Sequence, residues 1–151
     1  MTPDQKTIVQ ASFALVEPIA ETAGQLFYEC LFAMDPSLRR MFHGNIHDQA
    51  RKLMHVLAIA VKGLDRTEQL TPVLEDMGRR HVRYGVVDAH YDTVGAALIQ
   101  TLELGLGPQF TPEVREAWTA VYVWMAGTMQ RAAHDVTDDT MRSTAAAGAA
   151  H

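Results

Sequence analysis

The chain has 151 residues, 48% of them apolar and 21% charged. That is the balance of one ordinary globular domain with a substantial core, and it excludes wholesale disorder and collagen-like repeats. Thirteen Lys and Arg against 18 Asp and Glu give a formal net charge of −5, so the whole-chain field opposes binding to nucleic acid.

The start Met1 to Lys6 lacks the basic and apolar segments of a secretory signal, and no apolar run reaches the roughly 18 residues of a membrane span. A cytoplasmic protein is expected. Cys30 is the only cysteine, which excludes an internal disulfide framework and any Cys-rich zinc or iron–sulfur site. Five of the six prolines follow a residue able to precede a helix: Thr2-Pro3, Glu17-Pro18, Asp35-Pro36, Thr71-Pro72 and Thr111-Pro112. Proline suits the first helical position because its missing N–H would be unpaired there anyway. Thr2 with Gln5 has the capping-box pattern, and Glu17 is a weaker cap.

Apolar residues recur three and four apart, so the fold class is expected to be all-α. After Pro18 the stripe is Ile19, Ala23, Leu26, Phe27, Cys30 and Leu31; after Asp48 it is Leu53, Met54, Leu57, Ala60, Val61 and Leu64. A shorter helix from Pro72 to about Val82 puts Leu74, Met77 or Gly78, and His81 on one face, and Gly85 stops it. Asp88 then caps a helix bearing Tyr91, Val94, Leu98 and Leu102. Val114, Trp118, Val121, Tyr122, Met125 and Met129 follow Pro112. No long linker divides the chain, so residues 1–134 are read as one domain. Residues 135–151, alanine-rich and without an apolar period, are expected to form a disordered tail.

Seven histidines invite a metal reading, but no His-Glu-x-x-His pair or zinc-spaced cluster is present. His43 and His47 fall in the Gly44-Asn45 turn, His90 beside a helix start, His134 and His151 in the tail, and His55 off its helix's apolar stripe. All six are expected at the surface. His81 differs, because it shares an apolar face with Leu74 and Met77 while Arg79, Arg80 and Arg83 flank it. One histidine suffices to hold a haem iron, since the porphyrin supplies the equatorial ligands; a hydrogen-bonded core histidine is the other reading.

At this point the order of residues resembles the bacterial globins, both the haem domain of flavohaemoglobins and single-domain bacterial haemoglobins. The resemblance runs from about residue 5 to 132. It is carried by Phe27-Tyr28-Glu29-Cys30-Leu31-Phe32 with Asp35-Pro36, Arg40-Met41-Phe42, and Gln49 four residues before Leu53. His81, Gly85-Val86, His90-Tyr91-Asp92-Thr93-Val94-Gly95, Ala117-Trp118 and Tyr122 complete it. It implies a globin fold around a haem b, with His81 as the iron ligand and Phe42 packed on the porphyrin. Leu53 and Leu57 would line the distal wall, Val94 and Leu98 the proximal side, with Val86 and Tyr91 also at the cofactor. Tyr28 and Gln49 would be the polar groups facing the ligand.

The implied function is reversible binding of dioxygen, with nitric oxide and carbon monoxide as further ligands, by a monomer or homodimer. The alternative is nitric oxide dioxygenation with electrons from a separate reductase. Family enzymes couple a tyrosine and a late-helix glutamate to the iron-bound histidine. Tyr91 is present here, but the matching stretch reads Arg131-Ala132-Ala133, which implies weaker anionic push on His81.

Overall fold

The computed structural model describes the backbone over residues 1–149 and the side chains over residues 1–137. Six α-helices follow one another: α1 Pro3–Val16, α2 Ala20–Met34, α3 Ile46–Lys62, α4 Thr67–Arg83, α5 Asp88–Leu106 and α6 Pro112–Ala149. Short 3₁₀ turns precede α2, α3 and α4 and link α5 to α6, and no strand occurs among the described residues. The all-α expectation is met.

Proline and cap chemistry set several of the boundaries. Gln5 N donates to Thr2 Oγ1 at 3.1 Å while Thr2 N donates to Gln5 Oε1 at 2.8 Å, a complete capping box at α1. Pro112 opens α6, with Thr111 Oγ1 accepting from Val114 N. Pro18 and Pro36 start 3₁₀ turns rather than α-helices, the second capped by Asp35.

Pro72 departs from the expected pattern, because α4 begins five residues earlier and carries it in the interior. Its ring removes the helical donor to the Glu68 carbonyl, and Thr71 is no cap: its hydroxyl donates back to the Thr67 carbonyl at 2.7 Å. Asp88 is likewise the first residue of α5 rather than its cap. Helix α6 runs to Ala149. Alanine has the highest intrinsic helix propensity, so a segment with no apolar stripe can still extend a helix already nucleated. Residues 150 and 151, His151 among them, lie outside the described residues.

Helix α2 packs on α3 and α5, α1 on α6, and α4 on α6. Small residues set the close crossings. A Cβ on Gly24 of α2 would lie 2.8 Å from the Ala50 Cβ of α3, and one on Gly78 of α4 would strike the Met129 carbonyl of α6. Hence α4, which carries His81, lies directly against α6. Trp118 of α6 is fully buried, and its indole donates to Ser12 Oγ of α1 at 2.8 Å, the partner a buried indole requires. Phe13, Leu31, Leu64, Leu74 and Val121 complete the tightest part of the core. Ile19, read as the start of a buried stripe, is 39% exposed.

Candidate functional site

His81 lies in the last turn of α4, and the chain closes behind it. Tyr84 N and Val86 N both donate to the His81 carbonyl, at 3.1 and 3.0 Å, and Gly85 turns the backbone at φ +83°, a conformation glycine adopts without a Cβ penalty. The imidazole is half-buried, and its Nδ1 donates to the Met77 carbonyl one turn earlier at 2.6 Å. Because a carbonyl can only accept, that bond places the proton on Nδ1 and leaves the Nε2 lone pair available to a metal.

Burial holds the His81 pKa below the ordinary histidine value; the Met77 carbonyl opposes the shift and the Arg80 guanidinium adds to it. The unfolded chain therefore binds this proton more readily than the folded one. The stability it withholds is present above the unfolded value of about 6.5 and is lost as pH falls through it toward the folded value. Denaturant midpoints of the chain without added haem should accordingly fall between pH 7.5 and 5.5. In His81→Gln the fall should be smaller, and an unchanged pH profile would remove His81 as its source.

Tyr91, in the first turn of α5, presents its ring to His81 with centroids 6.4 Å apart and planes 30° from parallel. It is 8% exposed, and its hydroxyl is buried with no hydrogen-bond partner. Burial first, and the Asp88 carboxylate second, raise its pKa. Tyr122 of α6 fixes the start of α5 by donating to the Tyr91 carbonyl at 2.5 Å. An orphaned buried hydroxyl costs about 1–3 kcal/mol, so this one marks a place where a polar partner belongs.

Tyr28 is the centre of a second group. Its buried ring meets Phe27 and Phe42 edge-on, each at 5.2 Å, and Phe32 at 5.8 Å. Burial raises its pKa to about 12, so it keeps its proton near neutrality, and among the described residues its hydroxyl has no hydrogen-bond partner. Gln49 is engaged elsewhere: its Nε2 donates to the His43 carbonyl at 3.0 Å. Leu53 and Leu57 follow on α3 one and two turns later. Phe42, Leu53, Leu57, Val86 and Val94 are half-buried and Leu98 is buried. All but Val86 pack on or belong to the main core.

The structure therefore brings Tyr28 onto Phe42 and Tyr91 beside His81, and among the described residues no hydrogen bond or ring contact joins those two pairs, or Gln49 to either. A haem fits this donor set: one imidazole with its second nitrogen oriented, apolar walls from α3 and α5, and an orphaned hydroxyl. Among the described residues no three His, Cys, Asp or Glu side chains cluster to hold a metal ion without a porphyrin. An open cleft of about 360 Å³ lined by Phe13, Glu17, Glu21, Arg51 and Met54 contains none of these groups.

Three contacts were not read from the sequence. His47 belongs to the first turn of α3, where its backbone N–H is capped by Asn45 Oδ1 and its ring meets Gln25. Half-buried His90 accepts from Val87 N through Nδ1. His134, read as part of a solvated tail, donates from Nε2 to the Asp88 carboxylate at 2.9 Å, tying α6 to α5.

The Globin family model matches residues 25–129. The chain belongs to the globin family. Flavohemoproteins of Vibrio cholerae and Deinococcus radiodurans are 30% and 32% identical to this globin over 129 and 132 residues. These matches cover 83% and 85% of the chain but 33% of each relative, so the chain spans about a third of their length. Neuroglobin-1 of Oncorhynchus mykiss is 26% identical over 145 residues, covering 87% of this chain and 91% of that one. Among solved structures, an engineered carbene transferase built on a candidate nitric oxide dioxygenase of Rhodothermus marinus superposes with a TM-score of 0.84. It is 23% identical, and the match covers 93% of this chain and 99% of that one. A hexacoordinated heme protein of an anhydrobiotic tardigrade superposes at 0.81 with 17% identity, covering 89% and 96%. No helix among the described residues is long and apolar enough to cross a membrane.

Proposed function

We propose that this globin reversibly binds dioxygen and other diatomic gases at a haem b ligated by His81, as an oxygen-binding protein of the cytoplasm. The observation that carries the reading is the His81 Nδ1 bond to Met77, which orients Nε2 on an apolar helix face in a family whose members hold haem. A haem bound there supplies ferrous iron for the gas and electron density that polarises dioxygen toward a hydrogen-bond donor.

The chain's own residues do the rest. Phe42, Leu53, Leu57, Val86, Val94 and Leu98 would hold a porphyrin by apolar contact and keep water from it, which would favour the reduced state. Tyr91 offers its orphaned hydroxyl on the His81 side. Tyr28, protonated and without an internal partner, would donate a hydrogen bond to a bound diatomic ligand.

Nitric oxide dioxygenation with an external reductase is the second reading, favoured by the kinship with flavohemoproteins. The partner of His81 argues for the first. Met77 contributes a neutral carbonyl, and Ala132 and Ala133 stand buried on α6 where family enzymes carry a carboxylate. A neutral partner leaves the imidazole less anionic, which favours ligand storage over electron push.

Visible spectra test the reading. The purified chain with one equivalent of haemin should give a Soret band, a five-coordinate ferrous spectrum after reduction, and a reversible oxygenated spectrum in air. No Soret band would remove it, and rapid nitric oxide consumption with a supplied reductase would promote the second reading.

A further inference from the structure

The end of α4 carries charge of one sign. From Met77 to Val87 the chain has Arg79, Arg80 and Arg83 and no Asp or Glu, in a protein whose formal net charge is −5. The flanking acids are engaged: Asp76 Oδ2 pairs with Arg80 at 3.2 Å, and the Asp88 carboxylate with His134 at 2.9 Å. Arg79 and Arg83 are exposed and have no acidic partner among the described residues. They stand one turn apart on one helix face, beside the row formed by Arg80 and Tyr84.

Tyr84 follows the last residue of α4 and faces water, while Tyr28 and Tyr91 are buried. It is 65% exposed and Val87 is 56% exposed, with the Gly85 turn between them. Tyrosine and arginine are the residue types that most often anchor protein–protein contacts. The same ring meets the His81 imidazole, with centroids 6.2 Å apart and planes at 62°. One side chain thus reaches from the surface to the residue proposed to hold the iron.

We infer that the end of α4, centred on Tyr84 and framed by Arg79 and Arg83, is the docking surface for an acidic protein that carries single electrons on a flavin or an iron–sulfur centre. The charge selects an acidic partner, because a cationic patch on an otherwise anionic protein steers such a partner to that face. The ring contact selects an electron carrier, because it brings the docked protein into aromatic contact with the iron ligand. One electron leaves the reduced carrier and turns ferric haem ferrous; the carrier is oxidised by one electron, and no covalent bond forms or breaks. The destination of the electron rests on the haem reading above; the docking surface itself does not.

An acidic flavodoxin is the probe. Its affinity for the full chain at low ionic strength, measured by isothermal titration with and without haem, should fall by about two- to thirtyfold in Arg79→Gln/Arg83→Gln, as expected for the loss of two exposed ion pairs. At about 0.5 M salt the difference should close, because exposed charges are then screened. Lys6→Gln/Arg66→Gln removes the same charge elsewhere and should leave the affinity near that of the parent. In stopped flow, reduction of the ferric haem protein by saturating reduced flavodoxin should slow severalfold in Tyr84→Ala and hold in Tyr84→Phe, which keeps the ring. Reduction by dithionite should be equal in all of them, which a disturbed haem site would not allow.

Absence of flavodoxin binding at low ionic strength overturns the docking surface. So does an unchanged affinity in Arg79→Gln/Arg83→Gln, an equal loss in Lys6→Gln/Arg66→Gln, or an unchanged saturating rate in Tyr84→Ala. Binding to phosphatidylglycerol vesicles with none to flavodoxin overturns it as well, and makes the patch a membrane contact. A chain that takes up no haem sinks the gas-binding reading instead, and the titration still decides the docking surface.

Discussion

His81→Ala is expected to lose haem at least about 100-fold faster than the parent globin. Changing a partner one shell away from a metal already costs about 10–100-fold in metal affinity, and this variant deletes the only proposed protein ligand. On the proposed site, what would remain is the apolar surface of α3 and α5, which would hold a porphyrin by area without fixing its iron. The substitution spares the helix, since alanine is a better helix former than histidine and the Met77 carbonyl lost as a side-chain acceptor still accepts the helical bond from residue 81. Circular dichroism should thus match the parent. Transfer of haem to an excess of apomyoglobin measures the loss, and free imidazole added to the variant should slow it by restoring the coordinate bond. If haem transfer stays within a few-fold of the parent and imidazole has no effect, the ligand lies elsewhere on the chain.

Much of this arrangement was legible because helix starts leave chemical marks. Thr2 with Gln5 and Thr111 with Pro112 predict boundaries from bonds confined to one turn, and the structure keeps both. The readings that failed depend on more than one turn. Pro72 looks like a helix start, yet the preceding segment from Thr67 is already helical and packs against the 3₁₀ turn before it, so tertiary contact overrides the local preference. Ile19 has the right spacing for the core but sits where a 3₁₀ turn changes the period.

His81 stood out because an imidazole among Leu74 and Met77 breaks an otherwise apolar face. The roles of Tyr28 and Gln49 looked alike because both are polar groups assigned by resemblance to the same side. Their difference comes from the loop: His43 presents its carbonyl to Gln49 only because Gly44 turns at positive φ, and nothing in the spacing of residues 42–49 encodes that contact. The partnerless hydroxyl of Tyr91 is equally a property of packing, since it exists only once α5 is laid against α6 and its ring comes beside His81.

Tyr28→Phe should accelerate dioxygen dissociation by about 10- to 100-fold. The ring is held by edge contacts with Phe27 and Phe42, which a phenylalanine reproduces, so the variant removes the hydroxyl while leaving the volume of the pocket nearly intact. That hydroxyl has no internal acceptor to return to, so its bond to a polarised ligand is not offset by one broken in the protein. Hydrogen bonds to charged groups contribute about 1.5–3 kcal/mol, and about 1.4 kcal/mol is tenfold in an equilibrium constant. Carbon monoxide draws much less charge onto its outer atom, so its dissociation should change by less than about threefold, within the range of a weak neutral contact. Burial has pushed the Tyr28 pKa up to about 12; the donor therefore stays protonated, and the difference between parent and variant should be constant from pH 6 to 9. Stopped-flow displacement of each gas measures both rates. Equal changes for the two gases would mean that the substitution altered pocket shape, and an effect that faded across that pH range would mean that another group supplies the proton.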